Sequence, residues 1–206
     1  MIEFSIIMQT KLLRQNAEEK LLRAVHSVLG QKTKCRYELI IVCDGCQKSY
    51  DAIVKEFAVE FKGENQRLKL YMIDGIKTNR WRSSARNVGI SKASGKWILY
   101  LDNDDYYTNN YLKRLCELDP VNDWYTVDDL TYKNGWNQRR CNLKLGHCGT
   151  SNIIHKRSMF SRWPEIASYG KEDYKFIQNL LHESKKYVSL SLAGYCVCHI
   201  PGQYEV

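Results

Sequence analysis

The residues best suited to do chemistry stand together at Asp102, Asp104 and Asp105, with Asn103 between the first two. They follow Trp97 to Leu101, a short apolar run of strand-favouring types. A continuous apolar run is the pattern of a strand buried on both faces of a parallel sheet. Open α/β sheets bind ligands just beyond the carboxyl ends of such strands. Like charges this close repel unless a cation holds them, and hard oxygen ligands suit Mg²⁺ or Mn²⁺. A single Asp would suffice to cap a helix beginning near Thr108. Three carboxylates at the end of a buried strand point instead to metal.

The elements that must position these acids alternate along the first half. Phe4 to Met8 is a short apolar strand, and Glu18 to Leu29 carries apolar residues at helical spacing before Gly30. Tyr37 to Cys43 is a second buried strand that ends at Asp44-Gly45, and Tyr50 to Phe61 is amphipathic. Leu68 to Ile73 is a third strand. Ser83 to Ala93 is helical, with Ser83 and Ser84 as candidate caps, and it leads into Trp97 to Leu101. This alternation predicts a doubly wound, mainly parallel sheet. Neither the Gly-rich dinucleotide fingerprint nor a phosphate-binding P-loop follows the first strand.

The second half has another rhythm. A helix near Tyr111 to Glu117 precedes Trp124 to Tyr132, Asn134-Gly135 and Trp136 to Leu143, and Asn-Gly between strand-like runs predicts a hairpin. Ser151 to His155 is strand-like, Glu172 to Leu181 is an amphipathic helix, and strand-like pieces run from Tyr187 to Ile200. No Pro-, Gly- or Ser-rich linker divides the chain.

Composition sets outer bounds. Of 206 residues, 44% are hydrophobic and 26% charged, which is ordinary for a globular chain. No apolar run approaches the roughly twenty residues of a membrane span, and the first residues lack the basic region of a signal peptide. A soluble, cytoplasmic protein is expected (host cytoplasm if viral). The net charge of +8 suits phosphate-bearing ligands, anionic surfaces or nucleic acid. Its densest basic groups lie at Lys77 to Arg86 and at Arg139, Arg140 and Lys144. Of the eight cysteines, Cys43 and Cys46 make one CxxC spacing where a four-cysteine zinc site needs two. All eight are expected as free thiols in a reducing compartment. His147, His155 and His182 are expected to be structural or solvated.

The order of motifs resembles the GT-A glycosyltransferases, in particular the inverting family 2 group. The resemblance spans nearly the whole chain and rests on Ser5-Ile-Ile-Met, Glu38-Leu-Ile-Ile-Val-Cys-Asp-Gly, Ser84-Ala-Arg-Asn-Val-Gly-Ile, Leu101-Asp-Asn-Asp-Asp and Gly170-Lys-Glu-Asp-Tyr. It implies a single GT-A, Rossmann-like α/β domain over residues 1–206, with a mainly parallel central sheet covered by helices on both faces. A smaller mixed or antiparallel part belongs to the C-terminal half. Residues 1–105 would bind the nucleotide and 106–206 the acceptor.

The resemblance also implies roles. Asp102 and Asp104 match the DxD motif, with Asp104 binding Mn²⁺ or Mg²⁺ and His199 standing where some members place a further ligand. Asn103 or Asp102 would reach the ribose, and Thr10 the nucleoside. Asp44 matches the acid that accepts from a uracil N3–H; as a residue before Gly45 it is equally a turn former. Arg80, Arg82 and Arg86 surround the start of a helix, where guanidinium and backbone N–H groups favour a diphosphate. Arg86 has a second option, pairing with Asp102. Asp173 matches the catalytic base, though an acid in a first helical turn is also favoured by the dipole. Residues 146–152 would line the donor sugar and acceptor.

This chain departs from the family at Gln9-Thr10-Lys11, where an aromatic usually meets the base, and at Cys43, where an acid is common. The implied activity is a single, metal-dependent, inverting transfer from a nucleotide sugar, a UDP-sugar foremost, to a glycan hydroxyl. The alternatives are the same chemistry on a modified base in phage DNA, for which Arg139 and Arg140 would serve, and a non-catalytic nucleotide- or nucleic-acid-binding module.

Overall fold

The computed structural model describes residues 1–12, 17–58, 67–75, 81–132, 134–165 and 171–198, with the side chain of Trp81 set aside. The first half alternates β1 (Phe4–Thr10), α1 (Ala17–Leu29), β2 (Tyr37–Asp44), α2 (Gln47–Phe57), β3 (Leu68–Ile73), α3 (Trp81–Lys92) and β4 (Trp97–Tyr100). The second half comprises β5 (Tyr106–Tyr107), α4 (Tyr111–Leu115), β6 (Trp124–Tyr132), β7 (Trp136–Arg139), β8 (Ile153–Lys156), α5 (Glu172–Glu183) and β9 (Tyr187–Val197). All the strands join one mixed sheet in the order β3-β2-β1-β4-β8-β6-β9-β5, with β7 paired to β6.

β1 is the hinge of the architecture because it pairs in parallel with both β2 and β4. Its register sets Ile7 opposite Tyr100 and Thr10 opposite Cys43. The carboxyl ends of all three strands therefore reach one edge, which brings Gln9, Asp44 and Asp102 to the same rim. Both faces of these strands are covered, which explains their unbroken apolar sequences. Phe4, Ile6, Met8, Leu39 and Ile41 pack with Leu21 and Val25 of α1 and with Ile53 of α2. On the other side, Ile7, Ile98 and Tyr100 meet Ile90 of α3 and Phe176, Ile177 and Leu180 of α5. Each such fully buried side chain is worth about 1.5–3 kcal/mol.

α3 lies close against β1 because Gly89 carries no side chain. A Cβ there would sit 2.4 Å from Ile7 Cγ2. Three residues earlier on the same helical face stands Arg86, so this close approach delivers Arg86 to the rim.

Beyond β4 the sheet becomes mainly antiparallel: β8 pairs with β4 and β6, β7 with β6, and β5 with β9, while β6 and β9 run parallel. The Asn134-Gly135 hairpin forms as its sequence requires, with φ of 55° and 119° at the two residues. Several boundaries differ from the sequence reading. Ser83 and Ser84 lie inside α3 rather than capping it, and α2 starts at Gln47, with residues 59–66 outside the described set. Thr150–Asn152 forms a 3-10 turn before β8.

One expectation is overturned. Cys35 and Cys116 form a disulfide, with Cα atoms 6.1 Å apart, while Cys43, Cys46, Cys141, Cys148, Cys196 and Cys198 are free. The bridge joins the approach to β2 with the end of α4, a pairing that no local spacing signals. It also removes the premise on which a reducing compartment was expected. Among the described residues, no helix is long and apolar enough to cross a membrane.

Candidate active site

Arg86 occupies the centre of the rim and is only 2% exposed. Its Nη2 donates to Asp102 Oδ1 and to Thr150 Oγ1, both at 2.9 Å, and its Nε donates to Gln9 Oε1 at 3.2 Å. Gln9 Nε2 in turn donates to Asp102 Oδ1 at 2.5 Å. Burial disfavours the Arg86 charge, but Asp102 and Asp173 outweigh it and raise its pKa. The guanidinium lies 4.3 Å from the ring of Trp163, and that ring stacks on Phe176 of α5 with centroids 4.3 Å apart. Asn87 holds the Trp163 backbone from both sides: Trp163 N donates to its Oδ1 at 2.8 Å, and its Nδ2 donates to Trp163 O at 2.9 Å. α3 thus supplies both the arginine and the clamp on its aromatic support.

Asp173 lies in the first turn of α5. Thr150 Oγ1 donates to its Oδ1 at 3.1 Å, and Arg86 Nη1 stands 3.9 Å from the same oxygen. Nη1 is buried and has no hydrogen-bond partner among the described residues. Burial pushes the Asp173 carboxyl up to about 6, against the pull of Arg86; Asp102 and Glu172 push it further up, and the Thr150 hydroxyl lowers it. A carboxylate with this pKa is ionised at neutral pH and still a competent proton acceptor.

The three acids after β4 divide. None caps the next helix, which starts at Tyr111 after an Asn110 that makes no side-chain cap bond. Asp105 is buried and turned inward, accepting from Tyr195 Oη at 2.8 Å and from Cys198 N at 2.6 Å. It fastens the end of β9 and also lines the cavity beside the rim. Asp102 and Asp104 remain half-buried there, and Arg23 of α1 donates to Asp104 O at 2.7 Å. Among the described residues, no three His, Cys, Asp or Glu side chains gather as a metal group. Mg²⁺-type ions are held by one or two carboxylates plus substrate phosphates, and the oxygen donors of Asp102 and Asp104 fit that pattern.

At the carboxyl end of β1, Asn103 Nδ2 donates to Thr10 Oγ1 at 3.2 Å. Asp44 is buried at the end of β2 and accepts from Lys11 Nζ at 3.1 Å. Lys11 therefore contributes a cation where the resemblance leads one to expect an aromatic. Arg82 is half-buried in the first turn of α3. Arg80, His199 and Gly170 lie outside the described residues.

Between Asp102 and α5 opens a cavity of about 170 Å³, lined by Asp102, Gly149, Thr150, Tyr174, Tyr195 and Val197 among others. Arg139 also faces it, but its guanidinium is committed to Asp129, at 2.9 Å through Nε and 2.5 Å through Nη2. That ion pair removes Arg139 from the basic group that suggested a DNA acceptor.

The structure brings together Thr10, Asn103, Asp102, Asp104, Arg86 and Asp173 around one rim. Sequence reasoning passed over Gln9, Thr150 as an individual residue, and Trp163. A polar Gln closing a buried apolar strand was the available signal for the first. Nothing local marked the other two, which depend on contacts far along the chain.

The model of the family described as "Glycosyl transferase family 2" matches residues 6–177. The minor teichoic acid biosynthesis protein GgaB of Bacillus subtilis is 26% identical over 94% of this chain and 22% of its own length. An uncharacterized glycosyltransferase of Rickettsia bellii is 34% identical over 45% of this chain and 12% of its own length. Among solved structures, S. aureus TarS 1-349 in complex with UDP-GlcNAc superposes with a TM-score of 0.73 at 21% identity, covering 98% of this chain and 60% of that one. The mannosyltransferase PcManGT from Pyrobaculum calidifontis, in complex with GDP-Man and Mn²⁺, gives 0.67 at 12% identity, covering 98% and 58%. These likenesses show the GT-A fold. The chain spans less than two thirds of the length of these relatives.

Proposed function

The chain belongs to glycosyl transferase family 2, and from that membership we propose that it moves one sugar from a UDP-sugar to an acceptor hydroxyl on a glycan, with inversion at the anomeric carbon. Residues 1–105 would hold the nucleotide and 106–206 the acceptor, in one GT-A domain. The observation that carries the reading is that Asp102 and Asp173, from opposite halves of the chain, are held to one buried guanidinium. Support for the donor comes from a similar structure solved with UDP-GlcNAc. The name of GgaB supports a polymer hydroxyl as acceptor.

The residues would divide the work as follows. Asp44 accepts from the N3–H of uracil, with Lys11 beside it as a donor for a base carbonyl. Thr10 and Asn103 meet the nucleoside and ribose. Arg82, with Arg80, offers positive charge to the diphosphate near the start of α3. Asp104, with Asp102 and His199, would hold Mn²⁺ or Mg²⁺, which supplies Lewis-acid stabilisation of the departing diphosphate. Asp173 accepts the acceptor's proton as its oxygen forms a bond to the anomeric carbon and the bond from that carbon to the diphosphate oxygen breaks. Arg86 and Thr150 hold Asp173 in place without themselves losing a proton.

The test is a screen of nucleotide sugars for hydrolysis and for thermal stabilisation in Mn²⁺. A ligand that binds only the folded chain raises its midpoint. UDP and UDP-sugars should do so in wild type, and Asp104→Ala should lose the metal-dependent part of the shift. If no nucleotide and metal pair stabilises or turns over, the reading fails.

A further inference from the structure

Gly149 has no need of glycine for its own backbone. Its φ of −150° and ψ of −164° are extended values open to any residue. A Cβ added there meets one described atom within 4 Å, Asp173 Oδ2, at 3.4 Å. That is ordinary contact, so neither backbone strain nor crowding requires the glycine. Its position is fixed from elsewhere, since its N–H donates to Asn152 Oδ1 at 2.9 Å. The neighbouring Thr150 acts on the opposite oxygen, donating to Asp173 Oδ1 at 3.1 Å while accepting from Arg86. Two consecutive residues therefore treat the two carboxylate oxygens differently. One oxygen is tied into the Arg86 network; the other borders bare backbone, and both residues line the cavity.

We propose that Oδ2 is the oxygen of Asp173 that takes the acceptor's proton, and that the absent side chain of Gly149 sets how bulky an acceptor can approach it. The proposal rests on Asp173 being the base. A bare backbone at 149 leaves one flank of Oδ2 uncovered, on the side where Gly149 itself lines the cavity. A methyl group there leaves the carboxylate its room but occupies the path of an incoming carbon-bearing hydroxyl. Water passes such an obstacle; a sugar ring carrying the reacting hydroxyl does not. Gly149 is on this view a specificity-determining position rather than a backbone hinge.

The experiment compares wild type, Gly149→Ala and Gly149→Val with UDP-GlcNAc as donor and water, methanol and N-acetylglucosamine as competing acceptors. Melting curves accompany each variant, and the alanine variant carries the comparison if valine disturbs the fold. The ratio of transfer onto N-acetylglucosamine to hydrolysis should fall about tenfold in Gly149→Ala and further in Gly149→Val, since small misplacements at a reacting centre cost up to about a hundredfold. Methanol should fall between the two acceptors. A ratio unchanged in Gly149→Ala, with Asp173→Asn inactive, overturns this proposal and leaves the base assignment standing. Wild-type transfer by Asp173→Asn overturns the base assignment and this proposal with it.

Discussion

Arg86 donates through Nη2 to Asp102 Oδ1 at 2.9 Å, and that one bond explains how two halves of the chain keep a common site. Asp102 ends the parallel part of the sheet. Through Thr150 and Trp163, the same arginine reaches the antiparallel part and α5.

Removing Arg86 should therefore damage both stability and transfer. Arg86→Ala leaves Asp102 and Asp173 in partly buried surroundings without their cation, and breaking such a pair from one side costs about 3–5 kcal/mol. Arg86→Lys keeps the charge, but its compact ammonium cannot span Gln9, Asp102 and Thr150 as the planar fork does. Urea unfolding should rank the proteins wild type, then lysine, then alanine. Equal midpoints for all three would show that the guanidinium does not organise the rim.

Transfer should depend on pH through the base. With the Asp173 carboxyl pushed up to about 6, kcat should rise as pH increases through that value and level off above it. Thr150 donates to Asp173 Oδ1 and lowers that pKa. Thr150→Val should therefore move the midpoint of the kcat profile to higher pH. A midpoint unmoved by this substitution would mean that the limb reports another group.

The same shift has a sign in stability. The folded pKa of Asp173 lies above its ordinary value of 3.8, so the folded chain binds the proton more tightly than the unfolded one. Its contribution becomes less favourable as pH rises from about 4 to 6, and the penalty is fully present above that window. Asp173→Asn removes the charge and keeps an acceptor for Thr150. The variant should be more stable than wild type by about 1–2 kcal/mol at pH 7.5, after a discount for partial exposure. The difference should shrink toward zero near pH 4. Calorimetry at the two pH values checks both the size and the direction.

His155 should do the opposite. Burial pushes its pKa down to about 4, with Tyr100 Oη 2.7 Å from Nε2 and Lys156 O 2.9 Å from Nδ1. The neutral ring with its proton on Nδ1 fits both partners. Stability from this group is complete above about 6.5 and is lost as pH falls toward 4, by about 3 kcal/mol in all. The double variant Tyr100→Phe, His155→Leu should flatten the acid limb of a urea-midpoint profile. An unchanged limb would assign acid lability elsewhere.

The parallel half was legible in the sequence because strands buried on both faces are written as continuous apolar runs, and Phe4, Tyr37, Leu68 and Trp97 open the strands as the pattern indicates. β5 escaped notice because two residues beside an acidic cluster carry no period. The acids at 102 and 104 could be singled out from spacing, but the inward role of Asp105 depends on Tyr195, which the fold brings from far along the chain. Thr150 and Trp163 were equally hidden, since their significance comes from a shared contact with Arg86. The Cys35–Cys116 bridge, with a sequence separation of 81, leaves no local signature either.

The most direct measurement is sugar transfer by purified Asp173→Asn, with UDP binding followed in parallel. We expect transfer to fall by about 10²–10⁴-fold, the usual contribution of a positioned base, while UDP affinity stays at the wild-type value. Wild-type turnover by that variant would contradict the assignment of Asp173 as the base.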